Sequence, residues 1–269
     1  MLTLSDLSTP KLAGDRHELH VPDGWAQGRG AYGGLIVASL IRAIEERTGD
    51  PTRKIRSVTA ELAAPVAAGT SEIVVELLRV GSSVSTVRAA LSQSGEVKAH
   101  AVAVLAKSRP GAGPVAWQEL VAPEAPSWRT TEPTKIGPTE DSFTAPEFTQ
   151  HFEYRVVEGI PLSGGPARTV GWIRSRLPGG KRDAAHIAAL IDAWWPAALV
   201  RFTQVRPIAT IVYTLDVVGG LDGLDPEAPL LYRGTVPVCA DGYFLETREL
   251  WGEDGRLVAL NQQTFAVIA

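Results

Sequence analysis

The most constraining feature of this 269-residue chain is an internal repeat, in which one order of elements occurs twice. In each copy an apolar segment of helical length is followed by four segments of strand composition. The last two pairs of strand segments align without gaps, because Arg88 matches Arg248 and Gly95 matches Gly255, both at an offset of 160 residues. We therefore expect two similar halves, each built as the same supersecondary unit.

Both helical segments are apolar on nearly all sides. Residues 34–46 begin with GLIVASLI, and residues 184–199 read AAHIAALIDAWWPAAL. A helix without a polar face is buried in a core rather than laid on a surface. Each half is thus predicted to wrap its strands around one buried helix.

The strand segments of the two halves correspond in order, and two of the connecting turns match chemically. SGE at Ser94 and DGR at Asp254 are hairpin turns in which glycine supplies a positive φ. The corresponding segments are IRSVTAELAAPV and IATIVYTLDVV, SEIVVELLRV and PLLYRGTVPV, SVSTVRAALSQS and YFLETRELWGED, and VKAHAVAVLA and LVALNQQTFAVI. The fold class predicted is α+β, with two tandem units whose antiparallel sheets join edge to edge.

A proline-rich segment separates the halves. Seven prolines occur between Pro110 and Pro146, and such a composition sustains neither a helix nor an inner strand. Because the segment also contains Trp117, Trp128 and Phe143, we expect it to lie over the surface rather than to be fully disordered. The predicted organisation is an N-terminal unit at 1–109, a linker at 110–150 and a C-terminal unit at 151–269.

Composition excludes several classes of function. The chain has 26 basic and 30 acidic residues and no basic block, so neither nucleic acid nor an anionic membrane is favoured as a partner. Cys239 is the sole cysteine, which agrees with a reducing compartment and leaves no metal-binding Cys/His spacing. With no apolar run of signal-peptide or membrane-spanning length, we expect a cytoplasmic protein without membrane insertion, metal or cofactor.

The glycines before the first helix resemble a nucleotide-binding motif only superficially. Gly28, Gly30 and Gly33 spell G-x-G-x-x-G, but the preceding HVPDGWAQ contains Pro and Gly where a buried strand should run. We interpret these glycines as places where the backbone comes close to another group. Gly33 and Gly34, at the start of the helix, are the best candidates for contact with a ligand.

Three polar residues of the second half stand where the first half has mostly inert ones. Asp192 interrupts an otherwise apolar helix, and Gln263 occupies the position of Ala103. Thr210 begins the strand after the helix, opposite Ser57 by the order of elements. An ionised carboxylate in a helix of this kind needs partners, because its burial is otherwise strongly unfavourable.

Each of the three also has an ordinary structural interpretation. Asp192 could pair with Arg201, and Gln263 could face solvent beside Gln262, while Thr210 is a common strand residue. Together, however, a carboxylate, a hydroxyl and a carboxamide can hold and polarise a water molecule. A general base in such a position contributes a factor of ~10² to 10⁴ to a rate.

The whole pattern resembles a known family. LIDAWWPAAL, IATIVYT and ETRELWGEDGRLVALNQQTF, with GRGAYGGLIVASLI, VTAELAAPVAAG and the strands after it, are similar to the acyl-CoA thioesterase II-like family of double hot-dog proteins. The resemblance implies hydrolysis of an acyl thioester to a free acid and coenzyme A. It also implies that Asp192, Thr210 and Gln263 activate the water.

Two departures concern the catalytic register and the substrate. AWWP follows Asp192 where the better-studied bacterial members have an Asn-Phe-Leu-Pro-like run, so Pro196 falls one residue early. TIVYTLDVV is apolar and hydroxylic where those members carry a charged, His-containing run after the threonine.

The mechanism expected is direct attack of water on the thioester carbonyl, with Gly33 and Gly34 opening a helix N-terminus to the developing oxyanion. Two alternatives stay open. One is hydration of an enoyl thioester, for which His186 is the sole candidate base. The other is a non-catalytic protein that binds acyl-CoA or lipid. For the thioesterase we expect acyl-CoA as substrate. We also expect a homo-oligomer, because sheet edges and faces of such folds are commonly covered by another subunit.

Overall fold

The computed structural model describes residues 2–109, 117–136, 145–180 and 182–268. Its helices are α1 (Leu4–Leu7), α2 (Gly33–Thr48), α3 (Ala184–Asp192) and α4 (Ala198–Arg201), with a 3-10 helix at Glu147–His151. The strands before residue 110 are β1 (Lys11–Ala13), β2 (Arg16–Val21), β3 (Ala26–Gln27), β4 (Gly30–Ala31), β5 (Lys54–Leu62), β6 (Gly69–Val80), β7 (Val84–Gln93) and β8 (Glu96–Ala106). The later strands are β9 (Phe152–Glu158), β10 (Arg168–Ser175), β11 (Ile208–Val217), β12 (Leu230–Ala240), β13 (Tyr243–Trp251) and β14 (Leu257–Val267).

Twelve of these strands form one antiparallel sheet. Its order is β1-β2-β6-β7-β8-β5-β11-β14-β13-β12-β10-β9, which reads the same for the two halves from the central β5–β11 pair outwards. The predicted α+β class and the edge-to-edge junction of the two sheets are both present. The flanking strands β2 and β10 were not predicted, although β2 alternates regularly between exposed and buried residues.

The two long helices lie against each other and run antiparallel. α2 begins beside the end of α3, where Gly34 approaches Asp192, and its later turns reach the start of α3, where Arg42 pairs with Asp183 at 2.8 Å. Each helix contributes a nearly continuous run of buried apolar residues to the core. α2 ends at Thr48, where Gly49 takes the left-handed conformation with φ 64°.

The second helix ends earlier than predicted. The expected helix over residues 184–199 stops at Asp192, and α4 forms a separate short turn after Pro196. Proline has no backbone N–H, and its ring clashes with the carbonyl four residues earlier, which here belongs to Asp192. Backbone carbonyls that have no helical N–H partner at this end accept hydrogen bonds from side chains. Tyr154 donates to Ala193 O, and Arg248 donates to Ile191 O. Asp192 therefore stands at an open helix terminus.

Part of the proline-rich linker is described, and it packs on the outer face of the second half. Residues 117–136 place Trp128 and two alanines against an apolar cluster on the outer sheet face. Trp172 Nε1 donates to Pro126 O at 2.9 Å, and Arg155 Nη1 donates to Trp128 O at 2.7 Å. Trp117, by contrast, is 78% exposed. Residues 110–116 and 137–144 of the linker, including Phe143, lie outside the described residues.

Glu45, near the end of α2, gives stability a pH dependence. Burial, reinforced by the negative charge of Asp183, raises the pKa of the Glu45 carboxyl to about 7. The folded protein therefore binds a proton between about pH 4.5 and pH 7 that the unfolded chain has released, so stability should fall as pH rises through this range.

Glu45→Gln should remove this dependence. We expect wild type to lose about 1 to 3 kcal/mol relative to the variant between pH 4.5 and pH 8, measured by urea unfolding. The exposed Glu18→Gln on β2 is the matched control and should follow the wild-type profile. Parallel pH profiles for wild type and Glu45→Gln would contradict the assignment.

Candidate functional site

Asp192 is the last residue of α3 and is 9% exposed. Its Oδ1 accepts a hydrogen bond from Gln263 Nε2 at 2.7 Å and another from Arg248 Nη1 at 3.2 Å. Charge-assisted bonds of this kind compensate the loss of hydration that would otherwise make a buried carboxylate unfavourable. The carboxylate is thus fixed through one oxygen.

Gln263, on β14, connects this carboxylate to Thr210. Because a carboxylate can only accept, the amide NH₂ of Gln263 faces Asp192, and the amide oxygen is left to accept from Thr210 Oγ1 at 3.2 Å. The second amide hydrogen is donated to Asn261 Oδ1 at 3.0 Å. The predicted carboxylate, amide and hydroxyl therefore converge in one chain of hydrogen bonds.

A β-bulge brings Thr210 to this position. The register between β11 and β14 shifts between Thr210 and Val212, so Thr210 pairs with Phe265 and turns to the inner face, as Tyr213 does opposite Gln263. Without the extra residue, Ile211 would face inward instead. The bulge therefore delivers the hydroxyl to the site.

The same register corrects one sequence-based correspondence. A bulge also occurs in β5, where Ile55 pairs with Leu105. Since Leu105 and Phe265 are related by the repeat, the counterpart of Thr210 is Ile55, and the prediction that it lies opposite Ser57 is wrong. The counterpart of Gln263 is Ala103, as predicted, so the first half has apolar residues at both positions.

Gly33 and Gly34 lie directly beside Asp192. A Cβ on Gly33 would stand 3.1 Å from Asp192 Oδ2, and one on Gly34 would stand 2.8 Å from Asp192 Cβ and 3.0 Å from Ala189 O. The backbone N–H groups in the first turn of a helix have no acceptor within the helix. The N-terminal N–H groups of α2 and Oδ2 of Asp192 therefore lie next to each other.

A buried ion pair that was not predicted from the sequence lies behind Asp192. Arg248 is 1% exposed and donates through Nε to Glu246 Oε1 at 2.9 Å, in addition to its contact with Asp192. Glu246 also accepts from Ala197 N at 3.0 Å and from Tyr232 OH at 3.3 Å. The period-two alternation of β13 indicates that both side chains are buried, since they fall on the same face as the buried Phe244 and Leu250.

The charges of this pair shift both pKa values. Burial opposes the charge of Arg248, but the neighbouring groups Glu246, Tyr232 and Asp192 together outweigh it and raise the Arg248 pKa above its usual value. For Glu246, burial is the larger influence and raises the pKa of the carboxyl, while the positive charge of Arg248 opposes that shift. Arg248 is therefore a permanent cation at the base of the site.

The described part of the chain has neither a metal cluster nor a membrane-spanning helix. It contains no cluster of three or more His, Cys, Asp or Glu residues that could hold a metal ion. Within the same ranges, no helix has the length and apolar character needed to cross a bilayer. A cavity of about 110 Å³ adjoins the loop that leads into α2 and is lined in part by Trp25, Gly28, Gly30 and Ala31.

Comparison with solved structures identifies the fold. A hot-dog protein of unknown function from Alicyclobacillus acidocaldarius is 24% identical, with a TM-score of 0.85 over 99% of this chain and 98% of that one. An acyl-CoA thioesterase II from Mycobacterium marinum is 20% identical, with a TM-score of 0.74 over 98% of each chain. The tesB protein of Mycobacterium avium subspecies paratuberculosis is also 20% identical, with a TM-score of 0.79 over 99% and 98%. The protein therefore has the hot-dog fold.

Family models then place the chain within this class. The acyl-CoA thioesterase C-terminal domain matches residues 121–267, and the acyl-CoA thioesterase N-terminal domain matches residues 21–106. The chain belongs to the acyl-CoA thioesterase family and is a thioester hydrolase. A search of curated proteins finds no match.

Proposed function

We propose that the protein hydrolyses acyl-CoA by direct attack of a water molecule on the thioester carbonyl, with Asp192 as general base. The observation that carries this proposal is that the two carboxylate oxygens of Asp192 have different surroundings. Oδ1 is held by Gln263 and Arg248, whereas Oδ2 points towards Gly33 at the free end of α2. A base in this position is oriented by one oxygen and accepts a proton with the other.

Thr210 supplies the second acceptor for the water. Its O–H is donated to Gln263, so its lone pairs remain to accept from a water molecule. A water that donates one proton to Asp192 Oδ2 and the other to Thr210 Oγ1 presents its own lone pair to the carbonyl carbon. In this arrangement Gln263 fixes both acceptors relative to each other.

The start of α2 provides the donors for the oxyanion. As the water attacks, negative charge develops on the carbonyl oxygen, and backbone N–H groups with the helix dipole behind them stabilise it. Because Gly33 and Gly34 carry no side chain, this helix end is open to substrate and stays close to Asp192. The C–S bond then breaks, and the thiolate of coenzyme A takes the proton held by Asp192.

We also propose that two tandem hot-dog units, at 1–109 and 151–269, are joined by the linker at 110–150. We further propose that the protein is cytoplasmic and that it forms a homo-oligomer. Linker residues 117–136 cover the outer sheet face of the second half, whereas the first half exposes Val74 and Val102, which are 48% and 36% exposed. A second subunit packed on this sheet face would bury both valines.

Thiol release from acyl-CoAs of increasing chain length tests the reaction, and Gly34→Ala tests the geometry. The added Cβ would stand 2.7 Å from Tyr32 Cε2 and 2.8 Å from Asp192 Cβ, which forces α2 away from α3. A displacement of about 1 Å at a catalytic group can lower a rate about 10²-fold, and we expect a loss of that order in kcat.

Gly220→Ala is the matched control, since its Cβ would meet no atom within 4 Å and its activity should be unchanged. Binding of acyl-CoA without thiol release would favour a non-catalytic binding protein. Addition of water to an enoyl-CoA without thiol release would favour the hydratase, whose candidate base His186 lies in the first turn of α3, at the other end from Asp192.

A further inference from the structure

Tyr32 immediately precedes Gly33 and Gly34, and its side chain is fully buried. Its ring stacks on Phe148, with centroids 4.4 Å apart, and meets the edge of Phe152 at 5.8 Å. It is the N-cap residue of α2, but its side chain makes no capping hydrogen bond. Aromatic packing therefore fixes the ring while leaving the hydroxyl to another role.

The hydroxyl of Tyr32 has no hydrogen-bond partner among the described residues. Three other tyrosines in the same core do have one, because Tyr154 donates to Ala193 O at 2.8 Å, Tyr213 to Ala188 O at 3.1 Å and Tyr232 to Glu246 at 3.3 Å. Buried polar groups are nearly always paired, and an unpaired one calls for a functional explanation. Tyr32 is thus the exception within this group.

The unpaired hydroxyl belongs to a ring whose edge lies beside Gly34 and Asp192. The point where a Cβ of Gly34 would stand is 2.7 Å from Tyr32 Cε2 and 2.8 Å from Asp192 Cβ. Cε2 is bonded to the ring carbon that bears the hydroxyl. Burial, with the nearby Asp192 carboxylate adding to it, keeps the pKa of Tyr32 well above its usual value, so the group stays a hydrogen-bond donor.

We propose that Tyr32 is a catalytic residue whose hydroxyl donates a hydrogen bond to the thioester carbonyl oxygen, beside the N–H groups of α2. This inference rests on the proposed hydrolysis. The water needs acceptors for its two protons and finds them in Asp192 and Thr210, whereas the oxyanion needs donors. A phenol at the same helix end as the backbone N–H groups supplies one, and it keeps its own proton throughout the reaction.

Tyr32→Phe tests the proposal because it removes only the hydroxyl. We expect kcat for acyl-CoA to fall about 10²-fold, as for loss of one oxyanion donor, with a smaller change in KM. The Tm should equal or exceed that of wild type, since no bond within the protein is lost. Tyr213→Phe is the matched control, and it should lower the Tm while keeping kcat within about threefold, because its hydroxyl binds a helix carbonyl.

Binding of two inert analogues separates this proposal from the proposed function. A ketone analogue of acyl-CoA, with CH₂ between the carbonyl and sulfur, retains the carbonyl oxygen, whereas a thioether analogue lacks it. Tyr32→Phe should weaken the ketone about tenfold and leave the thioether unchanged, whether or not wild type releases thiol. Equal losses for both analogues, or unchanged kcat with a lower Tm, would show that the hydroxyl is structural.

Discussion

Asp192→Asn should lower kcat for acyl-CoA hydrolysis by about 10²- to 10⁴-fold, with KM changing far less. Asparagine keeps the size of the side chain but cannot take a proton from water at physiological pH. Its amide oxygen can still accept from Gln263, so the hydrogen-bond chain to Thr210 is disturbed as little as a substitution allows. Thiol release under saturating substrate, with KM determined in parallel, is the measurement.

Asp183→Asn is the matched control for this variant. Asp183 lies at the opposite end of the same helix, where it caps His186 N at 2.9 Å and pairs with Arg42. Its replacement should reduce stability slightly and leave kcat near wild type, because asparagine is also a good N-cap. If Asp192→Asn retained the wild-type kcat, the general base would have to be another group.

Arg248→Met should destabilise the fold by about 3 to 5 kcal/mol, because removal of one partner leaves buried charges uncompensated. The carboxylate of Glu246 is fully buried and that of Asp192 nearly so, and both depend on the same guanidinium. Urea unfolding would measure the loss. A change below 1 kcal/mol would show that the two carboxylates do not depend on Arg248 for compensation.

A double variant separates the charge effect from lost packing. Arg248→Met combined with Glu246→Leu removes both members of the pair, and much of the stability should return, since a packed apolar pair can match a buried ion pair. The non-additivity of the two substitutions measures their coupling. Glu246→Gln alone should cost less than Arg248→Met, because Arg248 then keeps Asp192 as its partner.

The repeat allowed most of the fold to be predicted, because periodic apolar segments and hairpin glycines are local signals. α2 and the four strands after each long helix follow from them. The site residues Asp192 and Gln263 could be selected because each stands at a position where the pattern requires an apolar residue. The structure brings them together with Thr210, Gly33 and Gly34, as expected for a shared site.

What could not be predicted depends on contacts between distant segments. The bulge that turns Thr210 inward is defined by the pairing of β11 with β14, and the sequence of β11 alone does not predict it. The end of α3 at Asp192 reflects both Pro196 and the carbonyl acceptors that Arg248 and Tyr154 find there. Arg248 itself aligns with Arg88 in the repeat, but the side chain of Arg88 is 56% exposed. The same residue type is therefore exposed in the first half and buried in the second.

Within the described residues, the antiparallel pairing of α2 with α3 leaves the proposed reaction centre at one end of the helix pair only. By the symmetry of the sheet, a second centre would lie where the start of α3 meets the later turns of α2. That place holds the Arg42–Asp183 ion pair, and Ser8 of the N-terminal segment accepts from Arg42 Nε at 2.8 Å. One end of the helix pair thus carries the proposed reaction centre while the other holds the N-terminal segment against the core, so we expect active-site titration to give one site per polypeptide.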